Sequence, residues 1–377
     1  MIAAIKKELI ANYVNLRGWR TKRKILVIES DDWGAIRTAS KAAWDSLVAK
    51  NIPLNSNYFS RFDCLESTQD LNELFNLLSS FKDKQGNPLC ITANALVANP
   101  NFEAIQQSNF QQYHYELITA TYSRYPDGIG TFNTWQKGMA EHLLYPQFHG
   151  REHINPAEWM RVLQTGDANE RLAFEHQTIL GLDNPAVSDR YLNYTSAFNY
   201  NTSAEASGFE TIIKEGLAHF KELFGFTSKS FVAPCGIRSD DIDDWLKQNG
   251  VLYHQVARQF VPDGNGGVYP KNRWWGDVNK QGQLYWRRNG TFEPSRDWNF
   301  DWVNSVLKDA EYAFRWGKPL VLNSHRVNYV GGLDIKNREN TLRLLSAIVK
   351  KLQQRYPDIE FMSSDQLGDY MCEAIKK

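Results

Sequence analysis

The sequence predicts an α/β protein in which a parallel sheet, either open or closed into a barrel, has helices packed outside it. Three observations support this class. Short apolar runs typical of strands alternate with amphipathic runs of helical length along the chain. The chain has 377 residues, 42% of them hydrophobic, which is enough for a large core. Neither an internal repeat nor a low-complexity segment interrupts the alternation.

The predicted strands are short, apolar and bounded by polar residues, Gly or Pro. The first run, Ile25–Ile28, follows the basic segment Lys22–Lys24 and reads as a buried strand. Five later runs have the same character: PLCITANAL (88–96), YPQFHG (145–150), SKSFVAP (228–234), KPLVLNSH (318–325) and IEFMSS (359–364).

The predicted helices have apolar residues at helical spacing. They cover residues 40–50, 67–83, 130–144, 238–250 and 339–358. Ser67 or Thr68 is the expected N-cap of the second helix, and Ser239 that of the fourth, which Gly250 ends.

We expect a single domain over residues 1–377, with two polar insertions near residues 183–208 and 262–290. Loops of this length in a compact domain either shape a site or are disordered. Lys plus Arg and Asp plus Glu each number 43, so the formal net charge is zero. This balance argues against a nucleic-acid partner.

We expect neither an export signal nor a membrane span in this sequence. Lys6, Lys7 and Glu8 break the apolar character of the N-terminus, and no run approaches the ~18 apolar residues of a membrane span. The four cysteines are far apart in sequence, which is compatible with a reducing compartment. We therefore expect a soluble, cytoplasmic protein.

Candidate catalytic residues follow the predicted strands, where active sites of parallel α/β folds lie. Asp31 and Asp32 end the first strand, and two adjacent carboxylates repel each other unless a cation or a hydrogen-bonding partner offsets the repulsion. His149 and His153 are four residues apart, a spacing that places both imidazoles on one side of a helical turn, where they can bind one metal ion. Taken alone, such a histidine pair is more often structural, and an Asp-Asp pair is more often a cap or a turn.

Several of these segments resemble motifs of the polysaccharide deacetylase family, carbohydrate esterase family four. In chain order they are SDDWG (30–34), HGREH (149–153), FVAPCG (231–236), RDWNFDW (296–302), LVLNSH (320–325) and FMSSDQL (361–367). The resemblance spans roughly Lys24 to Tyr370. It implies a distorted (β/α) barrel of the glycoside hydrolase/deacetylase type, and a metal-dependent hydrolase that removes acetyl groups from sugars.

The resemblance also implies a role for each matching residue. Asp31 matches the general base and His325 the general acid. The metal ligands would be Asp32, His149 and His153. The implied oxyanion and substrate-binding residues are Pro234, Cys235 (through its backbone amide) and Gly236, and the supporting residues are Arg326, Asp301 and Trp302. Two histidines and one carboxylate favour zinc, with cobalt, nickel or iron as alternatives.

Three motifs depart from the family pattern. In the first, Trp33-Gly34 replaces the family's glycine and proline. Val232 replaces the third-motif arginine that orients the base in the family, and Arg238, Arg296 and Arg326 are candidate substitutes. In the fourth motif, Asp301-Trp302 matches best but lies one residue out of register, and a helix cap is an equal alternative for Asp301.

The first hypothesis is therefore a metal-dependent hydrolase that removes an N- or O-linked acetyl group from a sugar or polysaccharide precursor. The missing arginine motivates a second hypothesis, a non-catalytic carbohydrate-binding or assembly protein. A third is an acyl-transfer or amidation enzyme acting on a sugar acid. The sequence leaves the sugar, the acyl group and the oligomeric state open.

Overall fold

A computed structural model describes residues 2–181, 184, 193–256, 258–265 and 267–376. Thirteen strands are assigned within them: β1 Ile25–Trp33, β2 Ile91–Leu96, β3 Ala98–Pro100, β4 Tyr115–Leu117, β5 Leu144–Gly150, β6 Ser230–Phe231, β7 Tyr253–Val256, β8 Gln259–Pro262, β9 Val268–Lys271, β10 Leu284–Arg287, β11 Gly290–Thr291, β12 Leu320–His325 and β13 Glu360–Phe361. Nine of them form one parallel sheet in the order β10-β7-β6-β5-β2-β1-β12-β11, with β13 paired to the start of β1.

The sheet curls until its two edges meet. The edge strands β10 and β11 are consecutive in the chain and only Arg288 and Asn289 separate them, so the edges lie within roughly 11 Å of each other. The Arg288 N–H donates to the Val256 carbonyl of β7 (3.1 Å), and the Asn289 N–H donates to the Val321 carbonyl of β12 (3.1 Å). This segment joins both edges, which confirms the predicted distorted (β/α) barrel.

Fifteen α-helices are assigned in the same residues. They are α1 Ile2–Leu16, α2 Lys41–Ala49, α3 Tyr58–Phe62, α4 Thr68–Ser79, α5 Phe102–Gln107, α6 Ile118–Arg124, α7 Thr131–Ala140, α8 Pro156–Gln164, α9 Ala168–Glu175, α10 Ser203–Ser207, α11 Phe209–Phe224, α12 Asp243–Gln248, α13 Trp302–Arg315, α14 Ile335–Arg355 and α15 Ser364–Lys376. Within the described part of the chain, no helix has the length and apolar character needed to cross a membrane.

Both faces of β1 are buried, as a parallel sheet with helices outside requires. Leu26 and Ile28 belong to the large core cluster that includes buried residues of α4, α11 and α14. Ile25 and Val27 point to the other face and pack in a second cluster with Trp286. Alternate residues of one strand therefore enter two cores, and the carboxyl end of the strand is fixed between them.

The predicted cap of α4 is confirmed, because Ser67 and Asp70 form a reciprocal capping box. The interval 262–290, expected as an insertion, contains β9 and the sheet strand β10. Tyr285 and Trp286 of β10 are fully buried, although the Gly- and Asn-rich flanks resemble a loop. Of the other expected insertion, 183–208, residues 183 and 185–192 lie outside the described residues.

Candidate metal centre and its cavity

Three sheet strands bring the predicted site residues to one end of the barrel. Asp31 and Asp32 lie near the end of β1, His149 near the end of β5 and His325 at the end of β12. Asp31 and His325 are register partners across the β1–β12 ladder. Parallel strands thus place at a single edge residues that are far apart in sequence.

Asp32 faces the two histidines of the second motif. Its Oδ1 atom lies 3.3 Å from the Nε2 atom of His149 and 3.1 Å from that of His153. The backbone of Asp32 is in the left-handed region (φ 75°), at a shift in the β1–β2 register between Ser30 and Trp33. Such an irregularity changes the direction in which side chains point. Here it lies between two adjacent aspartates, Asp31 and Asp32, that contact different partners.

His149 is held in the tautomer that a metal ligand needs. Its Nδ1 atom lies 2.8 Å from the carbonyl oxygen of Val232. A carbonyl oxygen only accepts, so Nδ1 carries the proton and, in a neutral ring, Nε2 keeps a free lone pair. That Nε2 atom is buried and has no hydrogen-bond partner.

The predicted helical turn is wrong, although the histidine pair does converge. His149 is a residue of β5, and the segment from Arg151 to Ile154 bends without forming a helix. The ring centroids of His149 and His153 are nevertheless 5.4 Å apart. A strand end followed by a bend therefore achieves the convergence for which the four-residue spacing suggested a helix.

The donor set fits a divalent cation. The ligand atoms of Asp32, His149 and His153 all lie within 4.8 Å of one another. Tetrahedral zinc with bonds of about 2.0–2.1 Å separates its ligands by roughly 3.3 Å, close to both carboxylate–imidazole distances here. A carboxylate oxygen facing an imidazole lone pair is repulsive unless a positive charge lies between them.

Asp31 has an entirely different partner, the guanidinium of Arg288. Both terminal nitrogens of Arg288 donate to Asp31, at 2.7 Å each, in a bidentate pair. The side-chain amide of Asn94 donates a third bond of 2.7 Å. Burial raises the pKa of Asp31, but Arg288 outweighs it, and the pKa falls to about 2. Asp31 is therefore a carboxylate at neutral pH, with its orientation fixed.

Arg288 is itself fully bonded. Its Nε atom donates to Glu29 (2.7 Å), and its remaining hydrogens bond Asn323 (2.6 Å) and Gln255 (3.1 Å). All five N–H groups of the guanidinium thus have an acceptor. Glu29 is fully buried and also accepts from Trp286 (2.8 Å). Arg288 therefore joins β1, β7 and β12 just where the barrel closes.

None of the three arginines suggested by the sequence contacts Asp31. Arg238 pairs with Asp243, Arg326 pairs with Asp63 and Glu66, and Arg296 is exposed at the cavity wall. Arg288 is not among the predicted site residues, because its segment LYWRRNG (284–290) lies in an expected insertion. The signal was present: an apolar aromatic run that ends in charged residues follows the same pattern as the other strand ends.

His325 is paired with Glu293, another residue that the sequence did not suggest. The Nδ1–H of His325 donates to Glu293 (2.5 Å), and Asn328 donates to the other carboxylate oxygen (2.7 Å). Burial lowers the pKa of His325, but Glu293 outweighs it and raises the pKa to about 10. The Nε2 atom of His325 lies 3.9 Å from Asp31, so a protonated imidazole stands beside a carboxylate.

The other predicted site residues divide into two groups. Pro234, Cys235 and Gly236 form a 3₁₀ turn after β6, in which Cys235 has a left-handed backbone (φ 56°), and Cys235 and Gly236 line the cavity. The structure does not bring Arg326, Asp301 or Trp302 to this wall. Asp301 is the exposed N-cap of α13, as the alternative interpretation predicted, and Trp302 packs against Phe292.

These groups open into a cavity of about 840 Å³. Tyr58 and Phe59 form part of its wall, with ring centroids 4.3 Å apart, and Phe59 meets the His325 ring edge-on at 5.1 Å. Half-buried aromatic rings next to polar groups suit the apolar faces of sugar rings. The volume is that of a small-molecule site.

No protein-family model and no curated protein matches the chain. Solved structures do. A probable polysaccharide deacetylase from Pseudomonas aeruginosa PAO1 is 12% identical, with 92% of this chain and 91% of that chain covered and a TM-score of 0.42. The Xyl-CE4 domain of a multidomain xylanase from the hindgut metagenome of Trinervitermes trinervoides is 8% identical (92% and 91% covered, TM-score 0.33). PuuE allantoinase is 12% identical (93% and 91% covered, TM-score 0.43).

These three structures are at most 12% identical to this chain, with TM-scores below 0.5. The roles proposed below rest on the geometry of this site.

Proposed function

We propose that the protein is a metal-dependent hydrolase that removes an N- or O-linked acetyl group from a sugar or a polysaccharide precursor. One observation carries the proposal. Asp32, His149 and His153 converge with the geometry of a metal site, and beside them a carboxylate (Asp31) and an imidazolium (His325) face each other across two neighbouring strands. Hydrolysis of an amide or ester needs this combination of an electrophilic centre, a base and an acid.

Asp32, His149 and His153 would hold the metal, with zinc favoured by the donor set. A bound divalent cation supplies Lewis acidity to the acyl carbonyl and lowers the pKa of a water molecule. Asp31 accepts the proton of the attacking water, in an orientation that Arg288 fixes. His325 delivers a proton to the leaving nitrogen or oxygen, and Glu293 keeps that proton available. The Cys235 amide at the cavity wall donates to the developing oxyanion.

Arg288 removes the reason for the non-catalytic alternative. That hypothesis rested on Val232 in place of an arginine, which leaves the base without an orienting partner. Arg288 makes a bidentate pair with Asp31 from a different strand, so the requirement is met by another residue. The bidentate pair supports a catalytic role for Asp31, because a site without a working base would have no need to orient this carboxylate.

The test is release of acetate from N-acetylated hexosamines and their oligomers by zinc-loaded protein. We expect Asp31→Asn and His325→Ala to abolish turnover and retain metal, and His149→Ala to lose both. The matched control is Asp45→Asn, an exposed aspartate paired with Lys41 on α2, which should leave the rate unchanged. Undiminished release by the double variant Asp31→Asn/His325→Ala would contradict the mechanism.

A further inference from the structure

We infer that the substrate bound in this cavity carries an anionic group, a carboxylate or a phosphate, on or next to the acylated sugar. The inference rests on the proposed function for the acylated sugar, but the anionic group is argued separately from the charges of the cavity wall. Its chemical basis is that guanidinium groups recognise carboxylate and phosphate oxygens through paired hydrogen bonds.

Five arginines line the cavity, and two of them have carboxylate partners. Arg288 pairs with Glu29 and Asp31, and Arg238 pairs with Asp243. The remaining three are Arg37, Arg258 and Arg296. Within the part of the chain that the structure describes, no carboxylate oxygen lies within 4.0 Å of their guanidinium nitrogens. They come from three separate segments, so their convergence on one wall is a property of the fold.

Arg37 lies next to the metal ligands. It lines the main cavity and also a smaller neighbouring one that Asp32 and His153 share. Among the described residues, its Nε atom is buried without a hydrogen-bond partner, its Nη2 atom lies 3.5 Å from the Ser60 hydroxyl, and its guanidinium carbon lies 5.9 Å from the centroid of the Phe59 ring. A half-buried guanidinium with an unused donor is unfavourable in the free protein. An anionic ligand in the cavity would offset its charge.

The opposing charges in the wall do not cancel these arginines. Among the described residues, the acidic side chains of the main cavity are Asp31 and Asp32. Asp63 lines the smaller cavity beside Arg37 and is already paired with Arg326. Arg288 neutralises Asp31, and a bound divalent cation would neutralise Asp32. The wall therefore keeps positive charge that a neutral acetylated sugar would not use, and Arg258 and Arg296, both exposed, extend it toward solvent.

Calorimetric binding to zinc-loaded protein tests the inference with probes that carry no acyl group and cannot turn over. The probes are glucose, glucose 1-phosphate and glucuronate. We expect at least one anionic probe to bind about tenfold or more tightly than glucose, as charge-assisted hydrogen bonds imply. Preference for the phosphate or for the carboxylate identifies which anion the site takes.

Variants distinguish the contribution of the arginines to anion binding from that of the metal. Arg37→Gln and Arg296→Gln should each weaken binding of the anionic probe by about fivefold or more and leave binding of glucose unchanged. Arg315→Gln, an exposed arginine of α13 paired with Glu311, is the matched control and should change neither. The same arginine dependence should persist in His149→Ala, where contact of the anion with a metal cannot explain it.

Equal binding of neutral and anionic probes, or anion binding that ignores both arginine substitutions, would overturn the inference. Acetate release from neutral sugars that does not depend on these arginines would support the proposed function and contradict the anionic group. Arginine-dependent anion binding without acetate release from any acetylated sugar would support the anionic site and contradict the proposed function.

Discussion

Arg288 holds two buried carboxylates at the carboxyl end of β1, and replacing it with glutamine should destabilise the fold strongly. Glu29 is fully buried and Asp31 is nearly so, and the guanidinium contacts both. Removing one member of a buried ion pair typically costs about 3–5 kcal/mol, because an uncompensated charge remains inside the protein. We expect a loss of that size at pH 7 in the free energy of unfolding of Arg288→Gln.

The pH dependence gives this prediction its sign. The lowered pKa of Asp31, about 2 against an ordinary 3.8, corresponds to about 2 kcal/mol of stability, which is present above pH 3.8 and lost as the pH falls through about 2. Without Arg288, burial is left to raise that pKa, and Asp31 then opposes folding at neutral pH. The difference in stability between wild type and Arg288→Gln should therefore be smaller at pH 4 than at pH 7.

Urea unfolding of metal-free protein at both pH values measures this difference. Arg315→Gln is the control, because an exposed pair should contribute less than about 1 kcal/mol. Introducing Asp31→Asn into Arg288→Gln should recover part of the stability, since it removes one buried, uncompensated charge. A loss below about 1 kcal/mol at pH 7, or an equal loss at both pH values, would contradict the role assigned to Arg288.

Three further predictions concern single positions. Glu293→Gln should lower the pKa of His325 from about 10 toward its ordinary 6.5, measured by NMR titration of the imidazole in metal-free protein, and an unmoved pKa would contradict the pairing. In the wild type, the stability that the raised pKa of His325 contributes is fully present below pH 6.5 and is lost as the pH rises through about 10. The destabilisation caused by Glu293→Gln should therefore be largest at low pH. Asp301→Ala should lower the urea midpoint of unfolding, as loss of an N-cap does, and metal loss in that variant would place it in the site after all. Gly216→Ala should destabilise by about 1–3 kcal/mol in the same measurement, because its new methyl group would lie 2.8 Å from the Phe148 ring; unchanged stability would contradict the tight packing behind β5.

The sequence predicted the first part of the site well, because strand ends are easy to recognise when an apolar run stops at charged residues. Asp31, Asp32, His149 and His325 all follow this pattern, and the strands bring them together. His153 was found through its spacing, although the local backbone is a bend and not a helix.

The supporting residues were harder to predict, because their roles depend on the closure of the barrel. Arg288 and Glu293 flank the short strand β11, which has two residues and no apolar pattern of its own. Only the curling of the sheet places them beside β1 and β12, and no local periodicity encodes that long-range contact. Conversely, the local motif around Asp301 resembled a site element but serves as a helix cap.

Metal content of the purified protein tests whether Asp32, His149 and His153 form a metal site. Elemental analysis would compare wild type prepared without chelator, His149→Ala, and His176→Ala, whose half-buried imidazole bonds Ser46 away from the site. We expect about one equivalent of zinc or another divalent metal in wild type and in His176→Ala, and none in His149→Ala. Absence of bound metal from wild type, even after addition of zinc or cobalt, would contradict this expectation.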